Sequence, residues 1–232
     1  MNLVGKDGPI KVTFLDSSTL ESMVAHKSYL DQKLTYTNDG RLLDEKGQAV
    51  MMGWEEPIMK EQAKTITFSK GDILNVGFGM GIIDFYIQKR FPRTHWIIEC
   101  HPDVQKKMIR DGWLKVPHIR CIFAKWQDVI NYLPKFDGIY WDTWEEPPGD
   151  FFRALPKILR KEGVFTFFNN PSKQDIKKGY KMNSSNYNIL KDFMNIEFSS
   201  FPIPNIPSKE EQGREYWDPS NTTYYNPICT LK

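Results

Sequence analysis

The sequence predicts an α/β protein with a doubly wound, mostly parallel sheet, and three observations carry that reading. From Asp72 onward, short apolar runs at 73–76, 96–99, 119–124, 138–141 and 164–168 alternate with stretches of helical pattern, the signature of parallel strands joined by crossover helices. The first run passes straight into Val76-Gly77-Phe78-Gly79-Met80-Gly81, a turn whose glycines let the backbone bend sharply and a ligand lie against it. The second run ends in Glu99, and an acid at the carboxyl end of that strand is placed to accept hydrogen bonds from the ribose hydroxyls of a nucleoside. Taken alone, the glycines describe a tight turn and Glu99 a solvated strand end; together they favour a nucleoside site.

Composition narrows the class. The 232 residues suffice for one large α/β domain, and 40% hydrophobic with 26% charged residues is ordinary for a globular chain. A net charge of +2 implies no strong pull toward nucleic acid or a membrane surface. Cys100, Cys121 and Cys229 are an odd set without paired spacing, which argues for a reducing compartment, the cytoplasm or the nucleus, and against a disulfide scaffold or zinc site. The histidines show no metal-ligand spacing either, so no metal is expected. The first 14 residues lack the apolar core of a signal peptide, and no apolar run approaches ~18 residues.

Taken in order, Ser18-Thr19-Leu20-Glu21 is a capping box opening a helix to about Lys33. Leu20, Met23, Val24 and Leu30 supply its apolar face. Residues 34–50 read as a hairpin with two turn signals, Asn38-Asp39-Gly40 and Glu45-Lys46-Gly47. Pro57 fits the first turn of a helix running to about Ile66, with Glu55 and Glu56 at its N-terminus, where negative charge is favoured. The strand–helix repeat follows: helices to about Phe91, from Pro102 to about Gly112, after Trp126-Gln127-Asp128, and from Phe151 to Arg160. Residues 172–193 read as a polar, lysine-rich helix or pair of helices. Strands at 195–203 and 222–231, separated by a proline-rich charged loop, suggest a C-terminal antiparallel hairpin at the sheet edge. The division expected is an N-terminal arm and lid over 1–70 and a core over 71–232. Glu99, Asp128, Asp142 and Asn169 fall where strands end, where such sheets bind ligands.

Five stretches together are specific: Val76-Gly77-Phe78-Gly79-Met80-Gly81, Trp96-Ile97-Ile98-Glu99-Cys100, Trp126-Gln127-Asp128, Tyr140-Trp141-Asp142-Thr143 and Trp54-Glu55-Glu56-Pro57-Ile58-Met59. They resemble guanidino-group methyltransferases dependent on S-adenosylmethionine, a group containing guanidinoacetate N-methyltransferases and the type IV (delta-nitrogen) protein arginine methyltransferases. The resemblance covers roughly residues 15–170, with a weaker match at 224–228. The stretch from Tyr29 to Tyr36, Gly40-Arg41-Leu42-Leu43-Asp44, Met51-Met52, Gly81-Ile82-Ile83-Asp84, the run 99–104 and Asp111-Gly112-Trp113 look closer to the type IV branch. Three departures stand out. The chain leaves no room for the ankyrin-like N-terminal extension common in that branch, which favours a small guanidino substrate. Trp141 replaces the usual aromatic before Asp142, and Asn169-Asn170-Pro171 differs from the usual substrate-holding residues.

The resemblance implies a Rossmann-like class I methyltransferase fold and S-adenosylmethionine as cofactor. Val76, Gly77, Phe78, Gly79, Met80 and Gly81 would line its methionine and ribose part. Glu99 would bind the ribose, with Cys100 and His101 beside the adenosine, and Trp126 and Gln127 would contact adenine. Tyr29, Met51 and Met59 would close the pocket, with Asp142 at its reactive end. Sulfonium and guanidinium are both cationic, so bringing them together in a dry site needs compensating carboxylates. Glu55 is expected to orient the guanidinium and Asp142 to accept its proton; the bland alternative for Asp142 is a helix-capping acid. Glu56 either assists or faces solvent, and Glu145 and Glu146 suit a solvated acidic loop. The expected activity is methyl transfer to the delta nitrogen of arginine in a protein substrate, with no nucleic-acid, membrane or metal partner. The alternatives are guanidinoacetate methylation and a cofactor-binding partner without turnover.

Overall fold

The computed structural model describes residues 29–144, 147–212 and 216–232. The helix expected from Ser18 lies outside them except for its end, helical over 29–31. Glu145 and Glu146 also lie outside. The two turn signals fold not one hairpin but a three-stranded antiparallel sheet of β1 (Thr35–Tyr36), β2 (Arg41–Leu43) and β3 (Ala49–Met52). Asp44 makes the second turn, its Oδ1 accepting the N–H groups of Lys46 and Gln48 at 2.9 and 2.8 Å, a local bond typical of aspartate in turns.

A short 3₁₀ turn, Gly53–Glu55, leads into α1 (Glu56–Ile66), with Pro57 in its first turn as expected. Ile58, Met59, Gln62, Ala63 and Ile66 form its buried side, the i, i+4, i+8 spacing of a helix lying on a sheet. The central sheet then builds from β4 (Asp72–Val76), α2 (Ile82–Gln88), β5 (Thr94–Ile98), α3 (Pro102–Arg110), β6 (Ile119–Ile122), α4 (Trp126–Val129), β7 (Phe136–Trp141), α5 (Gly149–Ile158) and β8 (Leu159–Phe167). After α6 (Lys173–Lys177) and α7 (Ser184–Leu190) come β9 (Met194–Pro202), α8 (Lys209–Gln212) and β10 (Thr223–Leu231). The strand order is β6-β5-β4-β7-β8-β10-β9. β4 through β8 run parallel, and β10 pairs antiparallel with both β8 and β9. The doubly wound sheet and the C-terminal hairpin are therefore as the sequence predicts.

Element boundaries differ in instructive ways. β8 begins at Leu159, earlier than the apolar pattern suggests. Pro156 removes a helical donor near the end of α5. Arg160 then pairs with Asp137 and, at 3.1 Å, with Asp72, fixing the strand's start beside β7 and β4. The charged loop before β10 contains α8, absent from the sequence reading. α2 stops at Gln88, short of Phe91.

The core has two faces because side chains alternate along each strand. Leu74, Ile98 and Ile139 point toward α5 with Phe151, Phe152 and Leu155. Ile73, Ile97 and Tyr140 point toward α1, α2 and α3 with Ala63, Ile87 and Met108. α1 approaches β7 very closely, since a Cβ on Gly138 would lie 1.9 Å from the carbonyl oxygen of Ile66. A third cluster joins Ile58 of α1 to Ile203, Trp217 and Tyr224 of the C-terminal segment. The N-terminal arm thus meets the C-terminal hairpin across the sheet edge.

Candidate active site

Strand order reverses at β4, which lies between β5 and β7, and a cavity of about 360 Å³ opens at the carboxyl ends of these strands. That is the switch point at which open α/β sheets bind ligands. The backbone is stitched tightly there. Gly77 N–H donates to Ile98 O at 2.9 Å, and Asp142 N–H to Val76 O at 3.0 Å. Gly77 has φ +93, and a Cβ on it would lie 1.9 Å from the carbonyl oxygen of Asp142. Conformation and space both demand glycine, so the turn that opens the cavity is locked against the strand end carrying Asp142.

Glu99 lines the cavity just beyond β5. Its carboxylate accepts the backbone N–H of Phe78 at 2.8 Å and of His101 at 2.7 Å. It therefore ties the glycine turn to the start of α3 and stays aimed into the cavity. Burial pushes its carboxyl above the ordinary range, and the surrounding backbone amides oppose that shift.

The arm forms another wall. Tyr36 Oη donates to Gly79 O at 2.8 Å, and Met80 N–H points at Met51 Sδ at 3.1 Å. The small sheet is thus fastened to the glycine turn, and Val50, Met51 and Met59 line the cavity with Tyr29. The Tyr29 ring packs edge-on against His101, 4.8 Å between centroids. His101 Nδ1 accepts Asp103 N–H, so Nε2 carries the proton toward Tyr29 O at 3.2 Å.

At the other end lie Tyr140, Trp141, Asp142, Thr143 and Trp144 after β7, Phe168 and Asn170 after β8, and Tyr216 from the loop before β10. Burial pushes the Asp142 carboxyl up to about 7, against the Tyr140 hydroxyl donating at 3.2 Å. The Tyr140 hydroxyl is itself raised well above its ordinary value, by burial first and then by the negative charge of Asp142, so it remains a donor.

Most of the expected residues therefore meet in one cavity: Tyr29, Met51, Met59, Val76, Gly77, Phe78, Gly79, Glu99, Cys100, Trp126, Gln127 and Asp142 line it. Met80, Gly81, His101 and Glu55 do not. Met80 and Gly81 shape the turn, and His101 is buried behind Tyr29. Glu55 is fully buried, its Oε1 accepting Met52 N–H at 2.7 Å and its Oε2 the Tyr216 hydroxyl at 3.0 Å. Glu56 is exposed and accepts a hydrogen bond from the Tyr86 hydroxyl. Asn169 is buried structurally, its Nδ2 donating to Lys181 O and Tyr225 O at 2.8 Å. Tyr216 is the notable residue that sequence reasoning missed, while Asn170, named there only as a departure from the family pattern, does line the cavity. An aromatic pair, Tyr216-Trp217, inside a polar loop was the available signal.

Arrangement and topology are those of the class I methyltransferase fold. Spermidine synthase from Thermotoga maritima superposes with a TM-score of 0.60, at 15% identity over 87% of this chain and 69% of that one. M. jannaschii TYW2 in complex with AdoMet does so at 0.55, with 12% identity over 86% of this chain and 85% of that one. A sequence model of guanidinoacetate N-methyltransferase matches residues 21–199, and the chain belongs to that family. Curated relatives include proteins named protein arginine N-methyltransferase 2. That of Candida glabrata is 38% identical over 85% of this chain and 51% of its own length. That of Saccharomyces cerevisiae is 34% identical over 88% of this chain and 52% of its own length. The chain thus spans about half the length of the curated relatives it matches. Among the described residues no helix is long and apolar enough to cross a membrane, and no cluster of three or more metal-ligating side chains is present.

The donor set suits S-adenosylmethionine. One cavity offers the oriented Glu99 carboxylate beyond β5, aromatic neighbours, and a second carboxylate, Asp142, beyond β7.

Proposed function

We propose that the chain transfers a methyl group from S-adenosylmethionine to the delta nitrogen of an arginine in a protein substrate. The observation that carries this reading is Asp142. It sits in the same cavity as Glu99, is locked to the glycine turn through Gly77, and has a carboxyl that titrates near neutrality. The name of the relatives, protein arginine N-methyltransferase 2, supports arginine as the acceptor.

When bound, S-adenosylmethionine supplies an electrophilic methyl group on a sulfonium. Glu99, already oriented by two backbone amides, would accept from its ribose hydroxyls. Trp126 and Gln127 would border the adenine, and Tyr29, Met51 and Met59, which line the same cavity, would exclude water and so strengthen electrostatics inside. A guanidinium is planar and cationic, and its nitrogens are poor nucleophiles while fully protonated. The ionised Asp142 carboxylate pairs with it and takes its proton, with Tyr140 steadying that carboxylate by a hydrogen bond.

A small guanidino acid is the second reading, favoured by the name of the family model. The lining opposes it. Among the described residues around the cavity, Lys125 is the cationic side chain, and it follows β6 rather than β7. Among the described residues that line the cavity after β7 and β8 there is no lysine or arginine for a free substrate carboxylate, whereas a peptide arginine needs none.

The test offers methyl-labelled S-adenosylmethionine with unmethylated cell extract in one reaction and guanidinoacetate in another. Label in a protein, placed on the arginine delta nitrogen by fragmentation, is expected. Label only in the small molecule moves the assignment to the second reading, and label in neither overturns both.

A further inference from the structure

The lysine-rich stretch after β8 does not line the cavity, yet it is fastened to the cavity's rim. Residues 171–182 carry Lys173, Lys177, Lys178 and Lys181 against a single acid, Asp175. Asn170 both lines the cavity and is exposed, so it marks the mouth, and Ser172, the N-cap of α6, follows almost at once. The far end is held by the neighbouring Asn169, whose Nδ2 donates to Lys181 O at 2.8 Å. Gly179, with φ +80, lets the chain turn back after α6, and Tyr180 N–H closes the turn on Asp175 O at 2.9 Å. The stretch is thus a short loop standing on the strand end beside the cavity mouth. Asn169, one of the residues at which the chain departs from the family pattern, helps to keep it there.

The positive charge of this loop is not neutralised from within. Asp175 is buried and turned inward, its Oδ2 accepting the Ser172 hydroxyl at 2.6 Å. Lys173 is paired with Asp218 at 3.8 Å. Lys177, Lys178 and Lys181 are exposed and make no ion pair among the described residues. Lys177 lies one helical turn beyond Lys173 and on the same face. Lys181 is held in place by aromatic rings, its Nζ standing 5.8 Å from the centroid of Phe198 and 5.6 Å from that of Tyr225.

We infer that this loop is a docking shelf for acidic residues flanking the target arginine, so that the chain prefers arginines in acidic segments of its protein substrate. The inference rests on the protein-arginine reading above and names the kind of segment that carries the arginine. A guanidinium that enters the cavity leaves its peptide backbone at the mouth, within reach of the loop. Carboxylates on that peptide gain from the uncompensated ammonium groups and lose little, because those groups already stand in solvent. The position of the shelf favours a peptide over a nucleic acid. It adjoins the site of the arginine, and a net charge of +2 gives no extended basic field for a phosphate backbone.

The chain loaded with S-adenosylhomocysteine is titrated with two synthetic peptides that share one central arginine. One carries glutamates on both sides of it, the other glutamines at the same positions. The glutamate peptide is expected to bind about 10-fold tighter at low salt, and the difference should shrink as salt screens the charges. K177Q/K178Q/K181Q should bind the two peptides equally, with S-adenosylhomocysteine affinity and Tm unchanged. K64Q/K115Q/K161Q removes the same charge from exposed positions off the cavity lining and should keep the preference, which separates a shelf from net charge. Equal binding of the two peptides by wild type, or none, overturns the inference, and so does a preference that survives in K177Q/K178Q/K181Q. A single-stranded RNA oligomer that binds these lysines more tightly than the glutamate peptide would reassign the shelf to nucleic acid and overturn it as well. A glutamate peptide with alanine for its arginine separates this inference from the reading beneath it. Weaker binding of that peptide to wild type is expected, whereas undiminished, lysine-dependent binding would sink the arginine reading while the shelf for acidic segments stands.

Discussion

At Asp142, burial and ionisation oppose each other. The carboxyl is raised from 3.8 to about 7. The stability this group contributes is therefore fully present below about pH 4 and is lost as pH rises through about 7. D142N removes that penalty while keeping an acceptor for the Tyr140 hydroxyl. Above pH 7 the variant should be more stable than wild type, by about 1–3 kcal/mol once the partial exposure of Asp142 to the cavity is discounted. Methyl transfer should fall by about a hundredfold or more. Wild-type activity should rise with pH through about 7, and the residual activity of D142N should lack that limb. Denaturant titration at pH 8 and a pH profile of kcat/KM check both halves. A variant that is less stable and still active would remove Asp142 from the mechanism.

At the scale of elements, the site depends on how α1 is clamped to β8 and β10. The Tyr224 hydroxyl is shared by Gln62 Nε2 of α1 at 3.0 Å and by the backbone N–H of Asn169 at 2.7 Å. Asn226 Nδ2 reaches Thr65 Oγ1 at 3.1 Å, and Thr166 Oγ1 reaches Pro227 O at 2.6 Å. These groups are buried, so Tyr224→Phe leaves the Asn169 N–H without its partner. The expected cost is about 1–3 kcal/mol, read as a lower urea midpoint with an unchanged m-value. The loss belongs to the element junction and not to chemistry, because Tyr224 does not line the cavity.

For the whole molecule, the cavity wall is assembled from segments as far apart in sequence as Tyr29 and Tyr216. Anything that fills it must stabilise the arm, the core and the C-terminal loop together. S-adenosylhomocysteine at about 100 times its Kd should add about 2.7 kcal/mol, which for a chain of this size raises Tm by roughly 5–10 °C. A thermal scan with and without the ligand checks this, and an unchanged Tm at saturation would place binding outside this cavity.

The sequence by itself determined the parts whose physics is local. β4 and β5 follow from apolar runs, the turn at Gly77 from a backbone that no side chain could adopt there, and the place of Glu99 from its position at a strand end. The helix start at Pro57 is likewise a property of a few adjacent residues, and so is the end of β7 that carries Asp142. The tertiary structure alone decided which of these residues share a cavity and which stand behind its wall. Glu55 reads identically in sequence whether it faces a ligand or a tyrosine. Its partner Tyr216 is 161 residues away, in a loop placed by Asn170 and by packing against Phe168. Side-chain alternation and turn chemistry reach only a few residues along the chain. A contact made through two hairpins and a sheet edge depends on where the whole sheet puts them, and no spacing in the sequence records it.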